Sequence, residues 1–173
     1  IWGTIDYLNQ KGIRGNQVVL NFQGIAPSWL GGRVIASGKE SELATMIASS
    51  VYYGRKVKNL DFTLLAPLNE PSDGDRSYLD QTQYATALSA LVQELNYMGL
   101  NDIMLVMPDT YTSNTAQYIA SVMSNGVVAP GVAHTGFHCY GTPTALLPQY
   151  PSVSEWITEG SCWDGSLDMG GTV

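Results

Sequence analysis

The stretch Phe62-Thr-Leu-Leu-Ala-Pro-Leu-Asn-Glu-Pro-Ser-Asp-Gly-Asp75 is a short apolar run that stops on an Asn-Glu-Pro tripeptide. A run of this length and content, closed by Pro67 and Pro71, predicts a buried strand whose carboxyl end opens into a loop. Glu70 then stands at the mouth of a sheet. Barrels and open sheets of the α/β class keep their chemistry there, because the strand fixes a side chain while the following loop admits a ligand. Taken alone, Asn-Glu-Pro also reads as a turn with a solvated Glu, so the assignment needs a second residue.

That residue comes from Ser154-Glu-Trp-Ile-Thr-Glu-Gly160, another short strand pattern that ends on a Glu. Two glutamates at strand ends fit the paired carboxylates of glycoside hydrolysis. In that chemistry one carboxyl group protonates the leaving oxygen, and the other attacks the anomeric carbon or activates water.

Together the two stretches resemble the clan of retaining glycoside hydrolases built on a (β/α)8 barrel, in which Asn-Glu ends strand four and a Glu ends strand seven. The resemblance implies that Glu70 is the acid/base, Glu159 the nucleophile and Asn69 a ligand of the sugar 2-hydroxyl. Trp-Ile-Thr-Glu159 and the run Asn21-Phe-Gln-Gly-Ile-Ala-Pro-Ser-Trp-Leu30 look most like family 30 of that clan. Families 5 and 39 stay open. No metal and no organic cofactor is implied. The expected protonation pattern is a neutral Glu70 beside an ionised Glu159, with Glu70 turning base once the covalent intermediate neutralises its partner. Retention predicts carboxyl groups about 5–5.5 Å apart, whereas inversion predicts roughly 6.5–9.5 Å.

Composition bounds the partners. The chain has 173 residues, of which 45% are hydrophobic, enough for one core and too few for two ordinary domains. With Lys+Arg at 8 against Asp+Glu at 15, the net charge of −7 argues against nucleic acid or an anionic membrane and fits a neutral polymer such as a carbohydrate. Only 13% of residues are charged, amid many Tyr, Asn, Ser, Thr and Gly, a composition often met in secreted proteins that act on polysaccharides. No run is long and apolar enough to span a bilayer, and a chain that begins at Ile1 says little about a leader.

The rest of the chain alternates strand and helix patterns, which implies a parallel sheet of βαβ units. Ile1 to Lys11 predicts a helix closed by Gly12, and Val18 to Phe22 a strand. In the Gly/Pro/Trp loop that follows, Trp29 is either a stacking platform for a sugar ring or a lid over the core. Ser37-Gly-Lys-Glu40 reads as a capping box ahead of Leu43, Met46, Ile47 and Val51 on one helical face. By the same logic Ser77-Tyr-Leu-Asp80 starts a helix that carries Tyr84, Leu88, Leu91, Leu95 and Met98 and stops at Gly99. Ile103 to Met107 is the next strand, with Asp109 just past its end as a substrate contact or a loop cap. A helix from Asn114 carries Ile119, Val122 and Met123. Val132 to Tyr140 is the strand before the last, ending His138-Cys-Tyr140. A His on a strand is usually structural; the resemblance raises His138 and Tyr140 to contacts of the nucleophile or the sugar. Thr144 to Tyr150 stands in for a full helix, and Trp163 offers a second stacking surface. Strand parity turns Cys139 and Cys162 away from the interior, where they form either a disulfide or two buried free thiols.

Five strands, matching strands three to seven of the clan, make a partial (β/α)8 barrel, since a complete one takes about 250 residues. Residues 1–173 are therefore expected to be a segment of one barrel domain, truncated at both ends. Its missing strands would come from a longer chain, from another piece of a nicked chain or from associating fragments. A non-catalytic carbohydrate-binding or inactive barrel fragment is the alternative function. A nucleotide-binding α/β domain is disfavoured, because Asn21-Phe-Gln-Gly-Ile-Ala lacks the glycine spacing of a phosphate loop.

Overall fold

Apolar runs too short for a helix alternate along the chain with longer stripes of helical period, and each becomes the element its pattern specifies. The computed structural model describes residues 1–139 and 153–160. The order is α1 (Trp2–Gln10), β1 (Val19–Asn21), α2 (Glu40–Tyr52), β2 (Leu64–Ala66), α3 (Gln81–Tyr97), β3 (Met104–Tyr111), α4 (Thr112–Met123), β4 (Val132–Cys139) and β5 (Ser154–Gly160). All neighbouring strands pair in parallel, in the spatial order β1-β2-β3-β4-β5. Successive strands lying side by side with a helix between them make this a partial (β/α)8 barrel.

The two faces of the sheet are unequal. On the outer face Leu20, Leu65, Leu105, Met107 and Val132 pack with Leu43, Ile47, Val51, Leu88, Leu91, Leu95 and Val122 of the helices. Among the described residues the inner face carries a small apolar cluster of buried Leu64, Ala66 and Val106, with Met104, Ala133 and Trp156 against them. Val19, whose register partner Leu64 belongs to this inner set, is 39% exposed.

Two helix starts differ from the sequence expectation. Ser37 caps nothing: Gly38 takes a left-handed φ of 84°, and α2 begins at Glu40 after an N-cap Lys39 without a side-chain bond. Glu40 instead accepts from the Gly38 N–H (3.2 Å) and from Gln83 Nε2 of α3 (2.8 Å). Ser77 is not a cap either. It is buried, accepts from the Ala26 N–H (2.8 Å) and donates to the Gly24 carbonyl (2.9 Å), so it stitches the loop after β1 to the loop after β2. The N-cap of α3 is Asp80, which accepts from the Thr82 and Gln83 N–H groups at 2.8 Å. A carboxylate takes two orphan amides and also answers the positive end of the helix dipole, which a serine cannot.

β3 also runs further than the apolar pattern suggested, through Pro108 to Tyr111. Pro108 pairs with Gly136 and Thr110 with Phe137, which leaves Asp109 as an extra residue in a bulge, with φ at 56°. β5 has a matching irregularity: Phe137 pairs with Ile157 and His138 with Glu159, leaving Thr158 extra. Strict alternation would send Trp156 and Glu159 to opposite faces. The extra residue resets the count, so that Trp156 lies opposite Gly136 and Glu159 opposite His138. Gly136 sits where three strands crowd: a Cβ there would come 2.9 Å from Thr158 Cγ2 and 3.0 Å from Val106 Cγ1.

The segment Thr144 to Tyr150, together with Tyr140, Cys162 and Trp163, lies outside the described residues, as do the side chains of Asn114 and Cys139. The choice between a disulfide and two free thiols at Cys139 and Cys162 falls on those positions.

Candidate active site

The site assembles at the carboxyl ends of the strands. β2 ends at Ala66, and the chain continues over Pro67-Leu-Asn-Glu70 with its backbone tied to both sides. The Asn69 N–H donates to the Phe22 carbonyl (2.8 Å) beyond β1, and the Glu70 N–H donates to the Asp109 carbonyl (2.8 Å) in the β3 bulge. Glu70 and Asp109 both have left-handed backbones, with φ of 53° and 56°. For a residue with a Cβ this costs on the order of 1–2 kcal/mol. Such costs persist where surrounding contacts overrule them, commonly at functional sites.

His138 is the hub. Its ring is wholly buried, with Nδ1 2.9 Å from Glu70 Oε1 and 3.7 Å from Glu159 Oε2, and Nε2 3.3 Å from Asp109 Oδ1. Burial on its own pushes the imidazole pKa down. The hydrogen bond and charge of Asp109, the charge of Glu159 and the hydrogen bond of Glu70 outweigh it and raise the pKa above the ordinary 6.5. The ring is thus easier to protonate than a free imidazole.

The two glutamates differ in setting. Glu70 is almost wholly buried, whereas the Glu159 side chain is 32% exposed. Arg76, from the loop after β2, puts Nε 3.1 Å from Glu70 Oε2 and 3.8 Å from Asp73 Oδ2. This is an ion pair rather than an aligned hydrogen bond, since Oε2 has no hydrogen-bond partner. A carboxyl oxygen of Glu70 and one of Glu159 lie within 4.8 Å of each other, and each lies as close to a His138 ring nitrogen. One ligand atom from each of these three residues is also what the described residues could offer a metal ion.

The other sequence-predicted residues divide into three groups. Asn69 is buried next to Glu70 with Oδ1 unpartnered, an acceptor left open for a ligand. Asp109 is buried beneath His138 and touches the glutamates through that ring and its own backbone. Trp29 is 56% exposed, which excludes the lid, and it lines a groove of about 420 Å³ with Ser41, Thr45 and Ser49 of α2. Tyr140 and Trp163 lie outside the described residues.

Two residues of the site were not singled out from the sequence. Asn21, at the end of β1, donates to Asp109 Oδ2 (2.7 Å), and Arg76 follows an ordinary-looking loop. The position of Asn21 at a strand end was a usable cue. Nothing local marks Arg76.

Solved structures with this architecture are found among xylanases. The catalytic domain of a family 30 xylanase C from Talaromyces cellulolyticus aligns with TM-score 0.60 at 14% identity, over 80% of this chain and 36% of its own. A family 30 subfamily 8 xylanase from Clostridium acetobutylicum aligns with TM-score 0.68 at 18% identity, over 91% and 42%. The chain shares the fold of part of these xylanase barrels. A conserved exported protein from Bacteroides fragilis shares it, with TM-score 0.60 at 11% identity over 78% and 33%. The chain spans less than half the length of each of these structures. No protein-family model and no curated protein matches the chain. At such identities the likeness to the family 30 barrels establishes architecture, and the chemistry has to be argued from the side chains.

Proposed function

We propose that this chain is part of a retaining β-glycosidase that cleaves O-glycosidic bonds of a β-linked glycan by double displacement. The observation that carries the reading is the approach of Glu70 and Glu159 to within 4.8 Å at the strand ends. Oxygens that close support the short carboxyl separation of about 5–5.5 Å that retention uses over the roughly 6.5–9.5 Å of inversion.

In the first step Glu159 attacks the anomeric carbon while the bond to the leaving oxygen breaks and Glu70 gives that oxygen its proton. In the second, water adds to the same carbon, its proton passes to Glu70, and Glu159 departs as carboxylate. Asn69 holds the sugar 2-hydroxyl, His138 aims Glu70, and Asp109 holds His138. Tyr140 and Trp163 are proposed contacts of the nucleophile and the sugar, and Trp29 a more distant one. No step calls for a metal or an organic cofactor. The remaining barrel strands would come from a longer chain or another fragment, with residues 1–173 a segment of a single barrel domain. Secretion suits a polymeric substrate, and among the described residues no helix is long and apolar enough to cross a membrane.

The test is turnover of an aryl β-glycoside by the protein and by its Glu70→Gln and Glu159→Gln variants. Each variant should lose at least about 100-fold in rate while keeping the fold, and full activity in either sinks the assignment. A second reading, a barrel that binds carbohydrate without cutting it, is favoured by one observation. Both oxygens of Glu70 are engaged, one by His138 and one by Arg76, so a contact must open before a proton can pass to a leaving group. Glycan binding without hydrolysis in the parent protein would select that reading.

A further inference from the structure

Asn21 has two properties that its sequence context does not announce. Its Nδ2 donates to Asp109 Oδ2 over only 2.7 Å, and its Oδ1 is buried with no hydrogen-bond partner. A buried asparagine that spends its donor and leaves its acceptor idle is held there by what the donor does.

What the donor does is fix a carboxylate. The terminal torsion of an Asp is broad and roughly two-fold, so one contact does not set its plane. Asp109 is gripped at both oxygens: Oδ2 by Asn21, and Oδ1 facing His138 Nε2 across a longer 3.3 Å. The shorter contact governs, and the long one to the ring is the link that a small rotation of Asp109 would break. On the far side of the ring, Nδ1 meets Glu70 Oε1 at 2.9 Å. Three strands thus supply one chain of contacts, β1 through Asn21, β3 through Asp109 and β4 through His138, and it ends on the glutamate beyond β2.

We propose that Asn21 is a positioning residue for Glu70, acting from β1 through Asp109 and His138. The inference deepens the glycosidase reading and rests on it for its kinetic arm only. Asn21 fixes the plane of Asp109, and Asp109 fixes which imidazole nitrogen is offered to Glu70. Partners of this kind, one shell out from the reacting groups, typically change activity 10–100-fold when removed from metal sites, where the same carboxylate–histidine arrangement recurs.

The experiment is nitrogen-proton NMR of the imidazoles in the parent and in Asn21→Leu, which keeps the volume and removes the donor. The chain has 2 histidines, and the other one is an internal reference. His134 stacks on Trp156 with ring centroids 3.6 Å apart and has Nδ1 2.7 Å from Ser154 Oγ. The expected result is a shift of the His138 ring signals with those of His134 unmoved. In an active enzyme it is accompanied by a fall in kcat of about 10-fold with little change in KM. A folded Asn21→Leu protein with unmoved His138 signals overturns the proposal, and so does an equal shift of both rings, which reports general loosening. Asn21→Ala is the second variant, and loss of the fold in both makes the residue structural and overturns the proposal as well. If the parent hydrolyses no glycoside, the glycosidase reading falls while the NMR arm still decides the role of Asn21.

Discussion

The outer and inner faces of the same five strands are built on opposite plans. The outer face is a continuous apolar layer locked under four helices, with Leu20, Leu65, Leu105 and Val132 almost fully buried. The inner face has a thin apolar floor at Leu64, Ala66 and Val106. Above that floor stands a cluster of buried polar groups: Asn69, Glu70, Asp109 and His138. Apolar packing is therefore concentrated outside and buried ionisable groups inside. A charge can be buried at the inner rim because the bulges at Asp109 and Thr158 bring its partners to it, whereas an uncompensated charge on the outer face would face only hydrocarbon.

The sharpest way to break this comparison is to exchange charge for amide on the inner rim. Glu70→Gln and Glu159→Gln should remove activity by at least about 100-fold. Glu159→Gln, at a partly exposed side chain, should leave the thermal unfolding midpoint nearly unchanged, whereas Glu70→Gln also takes a charge away from His138 and Arg76 and should lower it. Large loss of stability in both variants would show that the rim holds the fold together. Next in size, Leu65→Ala in the outer layer should cost about 2–5 kcal/mol in urea unfolding without altering the specific activity of the folded fraction.

A third prediction concerns pH. The folded pKa of His138 is raised above its ordinary 6.5, so the stability it contributes is fully present below that value and is lost as pH rises through the folded value. Unfolding free energy should fall from neutral toward alkaline pH, and His138→Gln should flatten that fall. An unchanged slope would mean that the ring is not charged in the native protein. A smaller effect is expected at the Asp80 cap, where Asp80→Ala should cost about 1 kcal/mol by the same urea assay. Least of all, Val19→Thr on the open inner face should stay within about 0.5 kcal/mol. A larger cost would mean that the inner face is packed more tightly than the 39% exposure of Val19 implies.

The sequence was legible where one local rule acted alone. The stripe Tyr84, Leu88, Leu91 and Leu95 became the buried face of α3, and Ser154 to Gly160 became β5 at the predicted bounds. Glu70 and Glu159 could be paired because each ends an apolar run. Legibility failed where a residue answers to a distant part of the chain. Ser77 has the spacing of a cap but serves the loop after β1, and Glu40 reaches Gln83 on another helix. The bulge at Asp109 has no period to reveal it, since pairing with β4, rather than the composition of β3, creates it. Asn21 and Arg76 entered the site through partners far away in the chain, which a pattern confined to one element does not contain.

Gly136 lies on β4 between the two bulged strands, β3 and β5. With Thr158 on one flank and Val106 on the other, its missing side chain acts as a gauge for the width of the gap between neighbouring strands. Even a single methyl group would wedge that gap wider just two residues before the imidazole. A side chain there would have to push Thr158 or Val106 aside, right next to Glu159 on β5.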